Sequence, residues 1–194
     1  VLISFFIVKN FNANVLVNTI LISAAIYLFF ITLRDFFIKK YKNLAQNIAH
    51  FGFSLLILSI LFNNFLSTEI ITNLKINETY ENDSLKINFE GIEQKDEQNF
   101  KAIIGKFVVE HNGGQTDIMQ PELRIYNQPN IITSEADIKT TLYKDKFMTM
   151  NSVQNQEYFN IRYQVKPFMI WIWLSTFLIS LSGLIGLFKK RYEN

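Results

Sequence analysis

From Ala13 to Leu33 the chain reads ANVLVNTILISAAIYLFFITL, without a charged residue, and stops at Arg34. Ala45–Leu66 and Phe168–Phe188 repeat the pattern, the last stopping at Lys189. Each run is about the 20 residues that a helix needs to cross a hydrocarbon core. Between the second and third runs the period changes from continuous apolarity to alternation. In SLKINFE, Leu85, Ile87 and Phe89 alternate with Lys86, Asn88 and Glu90, the pattern of a half-buried strand. FKAIIGKFVVE (100–110), ELRIYN (122–127) and YFNIRYQV (158–165) read the same way. Gly105 is expected to be a bulge, and Asn112-Gly113 a type I′ hairpin turn. TSEADI (133–138) reads as a short capped helix, and Pro167 suits the first position of the last helix. Short strands with turn signals between them predict a small antiparallel sandwich or barrel.

The pattern therefore predicts a polytopic α-helical membrane protein, a fragment of a longer chain, with an inserted, mainly antiparallel β exported domain. Val1–Val8 is too short to span and is expected to be the end of a truncated transmembrane helix. Spans follow at 13–33, 45–66 and 167–188, with a cytoplasmic loop at 34–44, the β-domain at 67–166 and a cytoplasmic tail at 189–194.

Charge gives the orientation. Ser67–Lys166 holds 15 acidic and 11 basic residues, a net −4, and the remainder 8 basic and 2 acidic, a net +6. The positive charge lies in RDFFIKKYK (34–42) and KKRYEN (189–194), beside the spans, which puts those segments on the cytoplasmic side. The β-domain then faces the periplasm of a bacterium or the intermembrane space of a mitochondrion, with Trp171 and Trp173 at the outer interface. The partner implied by this distribution is membrane lipid, not nucleic acid, which calls for a basic face on a soluble domain. With no cysteine, disulfides and thiolate metal sites are excluded.

The candidate chemistry is a histidine. His50 lies less than two turns inside the second span, where an ionisable group is a functional hypothesis by default. Gln46 and Ser54 share its helical face, while Ala45, Ala49 and Gly52 gather opposite. Three readings follow from the residues: interhelical packing, an axial haem ligand with the other ring N–H on a carbonyl or Ser54, or a proton relay. No Asp or Glu lies in the three spans to continue a relay. His111, in VVEHNGGQ, is expected to be a solvated turn residue.

The order of motifs is specific. AHFGFSLLILSI (49–60) is followed by QNFKA (98–102), PELRIY (121–126), TTLY (140–143) and KPFMIWIWLSTFLISLSGLIGLF (166–188). This resembles the C-terminal region of the CcmF/NrfE-type cytochrome c biogenesis proteins, the haem lyase family of cytochrome c maturation. The resemblance implies an enzyme, a haem lyase, that takes haem from a periplasmic chaperone and joins it by thioether bonds to the CXXCH motif of apocytochrome c. It implies a haem b in the membrane as an electron relay, with His50, in the AHxG motif, as one axial ligand to its iron. The second ligand, the tryptophan-rich haem-handling segment and the catalytic residues are expected upstream of Val1, so these 194 residues alone are not expected to be active. A haem chaperone, a thioredoxin-like partner protein and apocytochrome c are the implied partners, in the bacterial inner membrane or its mitochondrial counterpart. Ser175 and Thr141 stand where the family more often has Gly and an acidic residue. The rival reading is a non-catalytic, membrane-anchored β-module for partner docking, with His50 in helix packing.

Overall fold

The computed structural model describes residues 15–38, 44–152 and 157–192. Three long helices, α1 (Val15–Ile38), α2 (Leu44–Leu66) and α3 (Met169–Tyr192), enclose ten strands in the order of the chain. The residues fall into two compact units. One holds the helices with residues 141–144, the other 68–140 with 145–165. Val1–Val8 and the stretch 39–43 lie outside the described residues.

In the helical unit, three helices are long and apolar enough to cross a membrane. Their hydroxyls bond back to carbonyls of the same helix: Ser23 to Thr19 O, Thr32 to Leu28 O, Ser182 to Ile179 O. This disposes of donors that hydrocarbon would leave unpaired. α1 continues through Arg34 to Ile38, so the first five residues of the expected 34–44 loop are helical.

The strands form two antiparallel sheets. β1 (Thr68–Leu74), β10 (Phe159–Pro167), β9 (Lys144–Ser152) and β8 (Asp137–Thr140) lie side by side in the smaller. The larger follows the order β2 (Thr79–Glu81), β3 (Leu85–Asp96), β4 (Phe100–His111), β6 (Glu122–Tyr126), β7 (Ile132–Glu135), with β5 (Thr116–Met119) also on β4. Inward side chains Ile87, Phe89, Phe107, Val109 and Met119 meet Met148, Met150, Ile161 and Tyr163 in one core. Phe89 stacks on Phe107 with ring centres 4.3 Å apart and takes the edge of Phe159 at 5.5 Å.

Four local expectations are corrected. The bulge is on β3, where Phe89 opposes Phe107 but Gly91 opposes Lys106, leaving Glu90 as the extra residue. Gly105 marks instead the point where β4 passes from β6 to β5, its N–H donating to Pro121 O at 2.9 Å. The Asn112-Gly113 hairpin forms, but as a longer loop: Gly114 N–H donates to His111 O, and within the loop Gly114 alone takes positive φ, at 76°. TSEADI is not helical. It supplies β7 and β8, because Ser134 pairs with Leu123 and Ile138 with Phe147 in different sheets, and ladder bonds outweigh a capping signal. Pro167 ends β10, and Phe168, with φ 62°, makes the turn into α3.

A Cβ at Gly105 would lie 2.5 Å from Phe107 Cε2 and 2.8 Å from Met150 Sδ, inside the core. Gly105→Ala is expected to destabilise the sandwich by about 1–3 kcal/mol, the usual cost of overpacking. Denaturant unfolding of the detergent-solubilised protein checks it, and an unchanged midpoint would show that both neighbours yield freely.

Candidate functional site

α2 turns about 100° per residue, so its residues sort into three faces around His50. Gly52, roughly 200° round, meets α3: a Cβ there would be 3.0 Å from Ile179 Cγ1 and 3.2 Å from Ser175 O. Gly186 of α3 approaches Ala45 of α2 on the same side. Phe51 and Ser54 meet α1. The Phe51 ring lies 5.7 Å from Phe29 and 5.6 Å from Phe36, and Ser54 Oγ is 2.6 Å from Thr32 Oγ1. The third face carries His50, Gln46, Phe53, Ile57 and Ile60, within roughly 80° of one another. His50, Gln46, Phe53 and Ile60 are exposed on it.

His50 therefore packs into neither described helix contact. Ser54, expected as a partner for its ring, is fully buried; with the Thr32 proton on Leu28 O, Ser54 gives its own proton across to Thr32 Oγ1, and Phe51 O lies 2.8 Å away. The hydroxyl is an interhelical pin. An imidazole on an exposed face that it shares with Gln46, Phe53, Ile57 and Ile60 can present a ring nitrogen to a ligand that arrives from outside the three helices.

The second histidine departs from expectation. His111, in the other unit, is not a solvated turn residue; its side chain is largely buried at the end of β4. Its Nε2 lies 3.1 Å from Asp117 Oδ2 of β5 and 3.2 Å from Lys146 Nζ of β9. Lys146, only 1% exposed, also bonds Asp117, so an ammonium and a carboxylate join the two sheets through the core. Nε2 accepts from Lys146 when the ring proton sits on Nδ1, and donates to Asp117 when it carries the proton itself. Tyr163 stands by, its ring 6.4 Å from that of His111. Burial, and then the charge of Asp117, push the Tyr163 phenol upward. Burial would raise the Asp117 carboxyl too, but the Lys146 bond and charge, helped by His111, hold it below its ordinary value. No motif announces this cluster. Its one signal is a lysine at an inward position of an alternating strand, K146-F-M-T-M150.

Residues 65–167 match the CcmF C-terminal beta-sandwich family. The chain belongs to that family. Among curated proteins, it is 26% identical over 148 residues to a cytochrome c-type biogenesis protein CcmF of Pseudomonas fluorescens. It is 24% identical over 145 residues to the CcmF of Escherichia coli K12. These alignments cover 76% and 75% of this chain but 22% of each relative, so the chain spans about a fifth of their length. A solved structure named cytochrome c heme lyase CcmF shares the fold, with a TM-score of 0.71 and 16% identity over 94% of this chain and 32% of its own. The CcmF-type sandwich is thus accompanied here by helices that make the chain a membrane protein.

The buried pair gives this family's sandwich, in this chain, a pH dependence of definite sign. Asp117 has a depressed carboxyl in the folded state, so its stabilisation is present above the unfolded value, about 3.9, and is lost as pH falls through the folded value. Asp145, raised by burial, acts with the opposite sign: its contribution is present in acid and lost as pH rises through its folded value. Asp117→Asn is expected to cost about 3–5 kcal/mol at neutral pH, because it strands a buried ammonium. It should also flatten the acid limb of a plot of unfolding midpoint against pH. An acid limb identical to that of the parent protein would assign it to other carboxylates.

Proposed function

We propose that this chain is the C-terminal part of a cytochrome c haem lyase of the cytochrome c maturation system, and that His50 is an axial ligand to a haem b held in the membrane. The observation that carries the reading is the exposure of His50 on a mainly apolar helix face in a chain of the CcmF family. The donor chemistry fits. A haem is a flat, largely apolar macrocycle whose iron takes neutral imidazole nitrogen. Phe53, Ile57 and Ile60 beside His50 present hydrocarbon to such a surface. One histidine supplies one ligand, and in this reading the second comes from the rest of the full-length protein.

Within this chain the work is positional. The Gly52 contact and the Thr32–Ser54 bond fix the rotation of α2, and with it the direction of the imidazole. Haem bound there supplies one-electron chemistry. In this reading the residues that hold the substrate haem and join it to the two cysteines of CXXCH in apocytochrome c belong to the rest of the full-length protein. In this reading, basic residues flanking the spans keep the helix ends at Arg34 and Lys189 cytoplasmic. The sandwich then stands in the periplasm, or its mitochondrial equivalent, where it meets a haem chaperone, a thioredoxin-like partner protein or apocytochrome.

The test is a reduced-minus-oxidised spectrum of the full-length protein in detergent beside His50→Ala. A b-type signal lost or strongly shifted in the variant, together with failure of cytochrome c maturation in cells, is the expected result. An equal haem signal in both proteins would return His50 to packing, and a folded parent that takes up no haem would end the ligand reading. Gly52→Val, which forces α2 from α3, is expected to weaken the same signal without touching the ligand. Gly52→Ala needs a shift of only a few tenths of an ångström and should retain most of it.

A further inference from the structure

The turn between β8 and β9 is built unlike three other hairpin tips of the sandwich. Asn82–Ser84, Glu97–Asn99 and Asn112–Gly114 close β2–β3, β3–β4 and β4–β5 with polar residues and glycine, as water-facing turns do. Between β8 and β9 the tip is Leu142-Tyr143, two residues 54% and 69% exposed. No turn chemistry calls for this pair: neither residue takes positive φ, and neither side chain joins the core.

Its backbone is also sealed in a way that water would make unnecessary. Thr141 N–H donates to Lys144 O at 3.0 Å, and Thr141 Oγ1 accepts from Lys144 N–H at 3.1 Å. Leu142 O accepts from the Trp171 indole N–H at 3.0 Å, and Tyr143 O from Phe168 N–H at 2.9 Å. Both carbonyls of the tip are thus spoken for, one by Phe168 and one by the first turn of α3, and residues 141–144 group with the helices. Trp173, 69% exposed, adds another interfacial aromatic to the same helix start.

We propose that the Leu142-Tyr143 tip is a membrane-surface anchor, seated in the headgroup layer beside Trp171 and Trp173, and that it sets the depth at which α3 enters the bilayer. Tyrosine and tryptophan partition to that layer because one end of the ring system is apolar and the other bonds water or headgroups. Leucine reaches just below it. The tip is continuous with the start of a membrane-spanning helix, which names lipid as its occupant rather than a separate partner. The proposal rests on the helices crossing the membrane and not on His50 binding haem, so a failure of the haem spectrum leaves it standing.

The test uses the full-length protein, free of other cysteines, in vesicles of phosphatidylethanolamine and phosphatidylglycerol. A nitroxide is attached in turn to Leu142→Cys, Tyr143→Cys and Gly113→Cys, the last at a polar tip where an added Cβ meets nothing within 4 Å. Collisions with oxygen are expected to exceed those with a water-soluble nickel chelate severalfold at 142 and 143, and the order to reverse at 113. A water-like ratio at 142 and 143 overturns the proposal. Exclusion of both agents overturns it too, since the tip is then covered by protein. If a cysteine variant does not fold, Tyr143→Trp serves instead, with emission beyond that of the parent protein quenched by brominated lipid. Absence of that extra quenching would be equally decisive against the anchor.

Discussion

The helical unit depends on a place where a side chain is missing. In hydrocarbon the hydrophobic effect does not press helices together, so contact must come from close packing and from bonds between them. Gly52 lets α3 come within 3.2 Å of where a Cβ would sit, measured to a backbone oxygen, and no larger residue fits without a shift. On the α1 side the Thr32–Ser54 bond and the Phe51 ring complete the grip. Two faces of α2 are thereby occupied, and the third is left for whatever lies beyond. His50 stands on that third face, roughly 200° from Gly52, so the contact that joins the helices also aims the histidine.

The sandwich uses the opposite logic. There the core is apolar and could close without charge, yet Lys146 is placed inside it. Burying an ammonium costs several kcal/mol unless a counter-charge and further bonds surround it, on the order of the penalty that continuum arguments assign to such ions. Asp117 supplies the charge and His111 a second nitrogen, from β5 and β4, while Lys146 comes from β9. A cation that finds its partner only when these strands face each other disfavours other ways of stacking the sheets. Among the described residues, the Tyr163 hydroxyl and Asp145 Oδ1 are buried without a bonding partner.

What the sequence disclosed follows the strength of its periodicity. The three helices, β3, β4, β6 and β10 were legible because each carries an uninterrupted apolar run or a clean alternation. β9 was not, since Lys146 occupies an inward position and breaks the pattern that Met148 and Met150 continue. β7 and β8 are four residues each and belong to different sheets, so no local signal could exceed the capping pattern of TSEADI. His50 stood out as a candidate because a histidine in an apolar run is conspicuous, although the role of Ser54 depended on where α1 lies. His111 was missed for the converse reason. A histidine beside Asn-Gly-Gly looks solvated, and only the pairing of β4 with β5 brings Asp117 to it.

The strand–helix joint explains why Pro167 does not begin α3 as its chemistry allows. The carbonyl of Pro167 accepts from Asn63 Nδ2 at 2.6 Å, which ties the end of β10 to α2 before the helix starts. The chain must then turn within one residue, and Phe168 takes φ 62°, a conformation that costs a bulky side chain about 1–3 kcal/mol. Glycine would remove that strain. It would also remove the ring that packs 5.5 Å from Phe62, leaving the joint held by backbone bonds alone. Phe168 N–H is bonded to Tyr143 O and its carbonyl receives Trp171 and Ile172, so the strained residue is fixed at every polar atom it has. Strain survives only where the surroundings over-determine it. Here the surroundings are α2, the 141–144 turn and the first turn of α3 together, and a helix start bound by three segments has little freedom to slide along its axis.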